Sequence, residues 1–311
     1  MITNYFRVAE HDFAISANEK LFTLLPNYEP FKLETKSDNL LFHLTVANQV
    51  SAIDVVTDGY EPVYVEKLIK TEIKDTNMPR LDIYRNEKEW LILEAVNKKS
   101  PYILCVKANA DFSEGLVEYV VPDEIKQEAE RHPIRFAIDN AAMLIYAFST
   151  AKYATLEMHA SVTVRGNYGY LFLGKSGTGK STHSQQWMKA FDDAWLLNDD
   201  NPIVRLKEDG VYVYGSPWSG KTPCYKNDFR RVGAFVKLVQ APYNQMHTLR
   251  LPEAYAYILS SASGLKIVPD VMDVLFETMS TIIKKVQVYG LECLPNTDAA
   301  ELCAQTVTPR Q

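Results

Sequence analysis

Cysteine is scarce in this sequence. The chain of 311 residues contains four cysteines, and none of them belongs to a CxxC pair. A disulfide framework or a structural zinc site is therefore not expected, because both need cysteines that are more numerous or more closely spaced. The cysteines are expected instead to be small buried hydrophobic residues in a reducing compartment.

The sequence also lacks an excess of positive charge and any long apolar run. Its formal net charge is −6 and its pI is about 5.6, whereas domains that bind nucleic acids are usually basic. The longest apolar stretch, residues 141–148, is far shorter than the roughly 20 residues that a membrane-spanning helix needs. The first residues contain no apolar signal region. We therefore expect neither a nucleic acid nor a membrane as partner, and we expect a cytoplasmic location.

The length predicts two domains. The first, residues 1–132, contains short β-branched and aromatic runs separated by turn-forming residues, which predicts a strand-rich domain that contributes to acceptor recognition. Pro133 then begins an apolar pattern with helical spacing, so the second domain is predicted over residues 133–311. In the first domain, strands are predicted at residues 6–15, 40–46, 90–96, 102–106 and 116–121.

The second domain mixes both kinds of periodicity, which predicts an α/β (α+β) fold. A turn at residues 166–169 separates the first two of its predicted strands. Strands are predicted at residues 154–164, 168–173, 195–197, 211–214, 234–239 and 286–294. Helices are predicted at residues 180–191, 252–260, 268–285 and 298–305.

Residues 174–181, GKSGTGKS, match the P-loop pattern G-x-x-x-x-G-K-[ST] at every fixed position. Glycines allow successive backbone N–H groups to face one anion, and the following helix adds the positive end of its dipole. Lys180 then reaches the β- and γ-phosphates, and the Ser181 hydroxyl can bind Mg²⁺. A chance match in a chain of this length is on the order of one in a hundred, given ordinary glycine frequencies. The predicted nucleotide-binding residues are Gly174, Lys175, Ser176, Gly177, Thr178, Gly179, Lys180, Ser181 and Thr182.

Asp199 and Asp200 follow an apolar strand, about twenty residues after Lys180. A P-loop site needs a carboxylate near its metal, and transfer to a hydroxyl benefits from a carboxylate that accepts the proton. Adjacent residues of a strand point to opposite faces, so the two aspartates are expected to differ in role. The alternative is a solvated turn, since Asn-Asp-Asp-Asn-Pro is also a good turn sequence.

Two further side chains are candidates for the same site. His159 lies on the strand before the turn at residues 166–169, although a single strand histidine is more often a hydrogen-bonded core residue. Lys221 ends the segment Gly-Ser-Pro-Trp-Ser-Gly-Lys, which is either an ordinary loop or a flexible cationic loop that neutralises charge on the transferred phosphoryl group. His183 lies in the first turns of the P-loop helix, where a surface or packing role is expected rather than contact with the nucleotide.

Together, His159, the turn at residues 166–169, the P-loop and the Asp199-Asp200 pair resemble the core of the HPr kinase/phosphorylase and phosphoenolpyruvate carboxykinase superfamily. The PWSGK stretch and the C-terminal YGLECLPNTDAAEL are similar to HPr-kinase-like proteins, and the resemblance covers about residues 133–305. It implies a mixed, partly antiparallel sheet around the P-loop. It also implies that Lys180 holds the phosphates, that Ser181 and one of the two aspartates bind the metal, that the other aspartate is the general base, and that His159 lies beside them. Of the two aspartates, Asp199 is predicted to be the metal ligand.

The chain departs from the family patterns at informative places. Thr182 follows Ser181 where HPr kinases have glutamate, and the later glycine-rich signature of HPr kinases is not found. In phosphoenolpyruvate carboxykinases the acidic pair is followed by Glu-His, whereas in this chain it is followed by Asn201-Pro202. The resemblance is therefore to an HPr-kinase-like protein and not to a true HPr kinase.

The sequence predicts a kinase that uses ATP or GTP with Mg²⁺ and phosphorylates a hydroxyl of a protein, a peptide or a small molecule. The alternatives are a non-catalytic nucleotide-binding regulatory protein and a phosphoenolpyruvate carboxykinase-like enzyme. A homo-oligomer is compatible with the sequence. The predicted catalytic residues are His159, Asp199, Asp200 and Lys221, which are expected to converge with Lys180 on one cleft, where the lysines pair partly with the carboxylates when no ligand is bound.

Overall fold

The computed structural model of the chain describes residues 1–47, 49–65, 80–120, 133–220, 222–262 and 269–307. Two compact units are present, and the main division between them falls between Ser149 and Thr150. Each unit contains a mixed β-sheet with helices, so the α+β class predicted from the sequence agrees with the structure.

The first unit contains a sheet in which eight strands lie in the described residues, in the order β1-β2-β3-β8-β7-β6-β5-β4. Strand β3 pairs in parallel with β2 and with β8, and the other neighbours are antiparallel. A short helix, α1 (Glu19–Phe22), and a 3-10 helix (Pro26–Phe31) follow β2. The strands are β1 (Ile2–Val8), β2 (His11–Ala17), β3 (Leu40–Val46), β4 (Glu61–Val65), β5 (Arg80–Arg85), β6 (Glu89–Ala95), β7 (Tyr102–Asn109) and β8 (Glu114–Tyr119).

The single strand predicted over residues 6–15 is wrong, because a hairpin turn interrupts it. Ala9 and Glu10 form this turn with φ values of 46° and 64°. Neither residue is a glycine or an asparagine, so the sequence lacks the usual signal for left-handed turn conformations. Strands β4 and β5 were also not predicted.

Helix α2 (Pro133–Thr150) belongs almost wholly to the first unit, although the sequence prediction grouped it with the P-loop domain. The Tyr146 hydroxyl donates a hydrogen bond of 3.0 Å to the Val8 carbonyl, and the Phe148 ring stacks on Phe112 with centroids 4.5 Å apart. The apolar face of the helix is thus buried in the core of the first unit, which moves the division from residue 133 to residue 150. A role of this unit in acceptor recognition stays a prediction.

The second unit contains the P-loop sequence in a mixed sheet. The order β12-β10-β11-β15-β14-β13-β9 runs across the sheet, and β17 pairs with the second half of β15 and with β16. Strand β15 is parallel to β11 and to β17, and the other pairs are antiparallel. The strands are β9 (Thr155–Glu157), β10 (Ala160–Arg165), β11 (Tyr168–Leu173), β12 (Ala194–Asp200), β13 (Ile203–Lys207), β14 (Gly210–Tyr214), β15 (Phe229–Gln240), β16 (Gln245–Thr248) and β17 (Val288–Cys293).

Four helices complete this unit: α3 (Lys180–Ala190), α4 (Leu251–Ser261), α5 (Pro269–Lys285) and α6 (Thr297–Val307). Trp187 of α3 and Cys303 of α6 are fully buried against Phe172 and Val236 of the central strands. The alternation of strand side chains thus places one apolar row under α3 and α6. This packing fixes the start of α3 beside the end of β11, where the glycine-rich loop lies.

The four cysteines are free, and Cys105, Cys224 and Cys303 are buried. Within the described ranges, no helix is both long enough and apolar enough to cross a membrane. The cytoplasmic location stays a prediction.

Candidate active site

The P-loop sequence connects β11 to α3 and has the backbone conformation that its glycines permit. Gly177 and Gly179 have φ values of 81° and 104°, in the left-handed region that other residues rarely adopt. Helix α3 begins at Lys180, and its N-cap residue, Gly179, has no side chain that could cap the first N–H groups. The first N–H groups of the helix are therefore available to an anion.

The other residues of the loop have different surroundings. The Thr178 hydroxyl donates a hydrogen bond of 2.6 Å to the Lys175 carbonyl, which closes the loop on itself. From β15, the Gln240 amide donates to the Gly177 carbonyl at 3.2 Å. Gly174 is tightly packed, because a Cβ atom there would lie 3.0 Å from the Thr178 side chain. By contrast, Lys175, Ser176 and Thr182 are exposed to solvent.

The Lys180 side chain is 8% exposed and folds back over the loop. Its ammonium donates to the Gly174 carbonyl at 3.0 Å and lies 2.7 Å from His159 Nε2. Burial lowers the pKa of Lys180, while the charges of the two aspartates oppose that shift. Among the described residues no carboxylate lies within ion-pair distance of this ammonium, so the expected pairing of Lys180 with the aspartates is wrong.

His159 is positioned by a break in the strand that the sequence predicted over residues 154–164. The Met158 N–H donates to the Pro202 carbonyl at 3.0 Å, and the His159 N–H donates to the Ser261 carbonyl at 2.6 Å. These bonds separate β9 from β10 and turn the His159 side chain towards the P-loop lysine. The break depends on carbonyls that are distant in sequence, so no local pattern revealed it.

The His159 ring connects Lys180 to Asp200. Its Nδ1 atom lies 3.1 Å from Asp200 Oδ1. An ammonium can only donate, so Nε2 of the ring accepts from Lys180, and the proton of the neutral ring lies on Nδ1 and points to Asp200. Burial lowers the pKa of His159, the charge of Asp200 raises it, and the charge of Lys180 lowers it. The net lowering favours this neutral tautomer at pH 7.

Asp199 contacts a different partner from Asp200. The Ser181 hydroxyl donates a hydrogen bond of 2.9 Å to Asp199 Oδ1. Asp199 lies opposite Ser161 in the antiparallel ladder between β12 and β10. The Ser161 hydroxyl lies 2.7 Å from the Ser184 hydroxyl on α3. The side chains of Asp199 and Ser161 therefore both face this helix. The two aspartates thus contact different partners at the end of β12, Ser181 for Asp199 and His159 for Asp200.

The Ser181 and Asp199 oxygens are a suitable donor set for Mg²⁺. This ion binds proteins through one or two carboxylates together with phosphates and waters. A hydroxyl and a carboxylate that are already 2.9 Å apart beside the loop fit that requirement. In the described ranges there is no cluster of three His, Cys, Asp or Glu side chains that could hold a metal by itself.

The acidic pair also contacts the segment that contains Lys221. Lys221 itself lies outside the described residues. Ser219, two residues before it, forms an isolated antiparallel β-bridge with Asp200. The Gly220 N–H donates a hydrogen bond of 2.5 Å to the Asp199 carbonyl. The segment up to Gly220 is thus tied to the end of β12. The choice between an ordinary loop and a flexible cationic loop at Lys221 stays open, because Lys221 is not described.

Of the two roles expected for His183, on the surface or in packing, the structure shows packing. Its Nε2 atom accepts a hydrogen bond of 3.1 Å from the Trp187 indole, and its ring lies edge-on to Phe172. Burial lowers the pKa of His183 to about 4, so the ring is neutral at pH 7. This histidine belongs to the core under α3.

Three residues near the site were missed from the sequence. Glu157 is buried, and burial together with the charge of Asp200 raises its pKa to about 8. Asn198 is fully buried and donates to the Trp218 carbonyl at 3.0 Å. Gln240 holds the P-loop backbone. The polar character of Glu157 and Asn198 within apolar strand patterns was the available signal, since buried polar groups need partners.

Comparisons with known proteins add little to this geometry. No protein-family model and no curated protein sequence matches the chain. One similar solved structure is the Hpr(Ser) kinase/phosphatase from Coxiella burnetii, at 12% sequence identity and a TM-score of 0.29. The match covers 49% of this chain and 87% of that chain. At this TM-score the likeness carries no argument about fold or function.

Proposed function

We propose that this protein is an HPr-kinase-like phosphotransferase, which transfers the γ-phosphoryl group of ATP or GTP to a hydroxyl. The observation that carries the proposal is the chain of contacts from Lys180 through His159 to Asp200, beside a P-loop whose helix start is uncapped. It brings a phosphate-binding cation and a carboxylate to opposite sides of one imidazole ring. Phosphoryl transfer to a hydroxyl needs both of these groups.

Phosphate binding is assigned to the loop and to Lys180. The N–H groups at the start of α3 and the ammonium supply positive charge around the β- and γ-phosphates. In this proposal Lys180 leaves the Gly174 carbonyl and His159 when the triphosphate binds, because a phosphate oxygen is a stronger partner than either of them. The side chain then holds charge on the transferred group.

Ser181 and Asp199 would hold the metal. When bound, Mg²⁺ neutralises charge on the phosphate oxygens. Asp199 lies on the α3 side of β12 and bonds to the residue after Lys180, so it is assigned to the metal and not to the proton.

Asp200 is assigned as the general base. Its carboxylate takes the proton of the acceptor hydroxyl while the oxygen of that hydroxyl forms a bond to phosphorus, and the bond from phosphorus to the leaving nucleoside diphosphate breaks. His159 donates through Nδ1 to Asp200 Oδ1 and orients that carboxylate. The neutral state of the ring, which burial favours, lets it donate to the carboxylate without adding a second positive charge beside Lys180.

The acceptor is a hydroxyl of a protein, a peptide or a small molecule, and a direct labelling experiment identifies it. The wild-type protein and an Asp200→Asn variant are incubated with γ-labelled ATP, Mg²⁺ and the products of neighbouring genes. Transfer of label by the wild type alone is the expected result. If both proteins bind ATP and neither transfers label to any acceptor, the protein is a nucleotide-binding regulator and the proposal fails.

A further inference from the structure

Asp200 has an unfavourable backbone conformation. Its φ value is 127°, in the region that residues with a side chain rarely adopt. Such a conformation persists only where the surrounding structure holds it, and it is found preferentially at functional sites. The position of this carboxylate therefore depends on neighbouring groups that restrain its backbone.

The restraint comes from the segment at residues 216–220. Ser219 forms an isolated antiparallel β-bridge with Asp200. The Ser219 hydroxyl donates a hydrogen bond of 3.0 Å to the Asp199 carbonyl. A Cβ atom at Gly220 would lie 3.0 Å from Asp200 Cβ and 3.1 Å from its Oδ2 atom. The Gly220 backbone thus packs directly against the carboxylate, and a side chain at position 220 would require the Asp200 side chain to shift by a few tenths of an ångström.

Asn198 anchors that segment. Its amide nitrogen donates to the Trp218 carbonyl at 3.0 Å and to the Ser216 hydroxyl at 3.2 Å, while its oxygen accepts from the Asn201 N–H at 3.0 Å. The Ser216 hydroxyl in turn donates to the Asn201 carbonyl at 2.6 Å. Asn198 and Ser216 are both fully buried. The two side chains therefore connect the segment to the residues on both sides of the aspartate pair.

We propose that Asn198, Ser216 and Gly220 are positioning residues that hold Asp200 against His159. The proposal rests on the proposed function, in which Asp200 is the general base. Asn198 lies one residue before the aspartate pair and Asn201 one residue after it, so their shared hydrogen bonds fix the backbone at both ends of the pair. Ser219 and Gly220 then fix it from the side.

Ser216→Ala and Gly220→Ala test this role. Ser216→Ala removes the hydroxyl that links Asn198 to Asn201, and Gly220→Ala places a methyl group against the Asp200 carboxylate without changing the buried network. Ser149→Ala is the matched control, because Ser149 is also buried and its hydroxyl donates to the Phe112 and Ile145 carbonyls in the first unit.

In crystal structures, both site variants are expected to show Asp200 relaxed from a φ near 127° and its carboxylate moved beyond hydrogen-bond distance of His159 Nδ1. In kinetics, kcat is expected to fall about tenfold or more, since displacement of a reacting group by about 1 Å costs that much. The affinity for ATP is expected to stay within about twofold of wild type, because among the described residues no hydrogen bond joins the P-loop to Ser216 or Gly220. Ser149→Ala is expected to reduce thermal stability and leave kcat unchanged.

Two outcomes would overturn the inference. One is an unchanged φ and an unchanged contact between Asp200 and His159 in the Gly220→Ala crystal structure. The other is an equal loss of stability in Ser149→Ala and Ser216→Ala with an unchanged kcat in both. The crystallographic result is independent of phosphoryl transfer, so an inactive wild-type protein would refute the proposed function without hiding the answer about Asp200.

Discussion

The ammonium of Lys180 lies 2.7 Å from Nε2 of His159, and this contact determines how the ring presents its other nitrogen. Because Lys180 donates, the proton of the neutral ring lies on Nδ1, which is 3.1 Å from Asp200. The ring thus lies between the P-loop lysine and the carboxylate that the proposed function assigns as the base.

Lys180→Ala is expected to weaken ATP binding about tenfold or more, because hydrogen bonds to charged groups contribute about 1.5–3 kcal/mol. Calorimetry with ATP and Mg²⁺ measures this directly. Lys189→Ala is the control, since Lys189 lies in the last turn of the same helix and is exposed. Equal affinities in wild type and Lys180→Ala would exclude the P-loop as the phosphate site.

Asp199→Asn and Asp200→Asn are expected to have different effects. Asp199→Asn should raise the Mg²⁺ concentration that half-saturates nucleotide binding, because it removes a charged oxygen beside Ser181. Asp200→Asn should leave that concentration unchanged and lower kcat about 100-fold or more, as removal of a general base typically does.

Magnesium titrations in the presence of nucleotide and kinetics with the identified acceptor give the two values. Asp193→Asn is a suitable control, because Asp193 is a largely exposed carboxylate that pairs with Arg165 at 3.0 Å. Identical behaviour of the two site variants would contradict the division of roles between metal binding and proton transfer.

A crystal soaked with a non-hydrolysable ATP analogue and Mg²⁺ is expected to show Lys180 on a phosphate oxygen. The distance from its ammonium to His159 Nε2 should then increase from 2.7 Å, while the distance from His159 Nδ1 to Asp200 stays near 3.1 Å. Phosphates bound mainly by residues of the first unit would refute the assignment of the nucleotide to the P-loop.

The sequence predicted the parts of the site that depend on local patterns. The P-loop is contiguous, and strand, loop and helix follow one another, so its glycines and Lys180 were recognised together. Asp199 and Asp200 were identified by their place at the end of an apolar strand. The alternation of a strand was also enough to expect that the two carboxylates face different partners.

Features that depend on distant contacts were not predicted. The break before β10, which positions His159, is made by carbonyls of Pro202 and Ser261. The hydrogen bond from the buried Asn198 to the Trp218 carbonyl was not predicted either, since nothing local in the sequence indicates it. The apolar face of α2 could pack in either domain, and only the tertiary structure assigns it to the first unit.

Glu157 gives the last prediction, which concerns stability and pH. Its side chain is buried on β9, and its Oε2 atom has no hydrogen-bond partner in the described part of the chain. Burial, followed by the charge of Asp200, raises the pKa of Glu157 from 4.5 to about 8. Between these two values the folded protein retains a proton that the unfolded chain has lost. The resulting stabilisation is therefore fully present below about pH 4.5 and is lost as the pH rises through about 8.

Glu157→Gln removes this titration, so the free energy of unfolding of the variant minus that of wild type is expected to increase with pH across the window. The increase is at most about 1.4 kcal/mol for each pH unit. Urea unfolding at several pH values within the window measures it. Burial also raises the pKa of Glu94 to about 7 and that of Asp139 to about 6. Both proteins contain these two groups, so their contributions to the pH dependence cancel in the difference. Glu208→Gln is the control, because Glu208 is exposed, and its stability is expected to follow the wild-type pH curve. A difference between Glu157→Gln and wild type that stays constant with pH would show that the Glu157 carboxyl has its ordinary pKa.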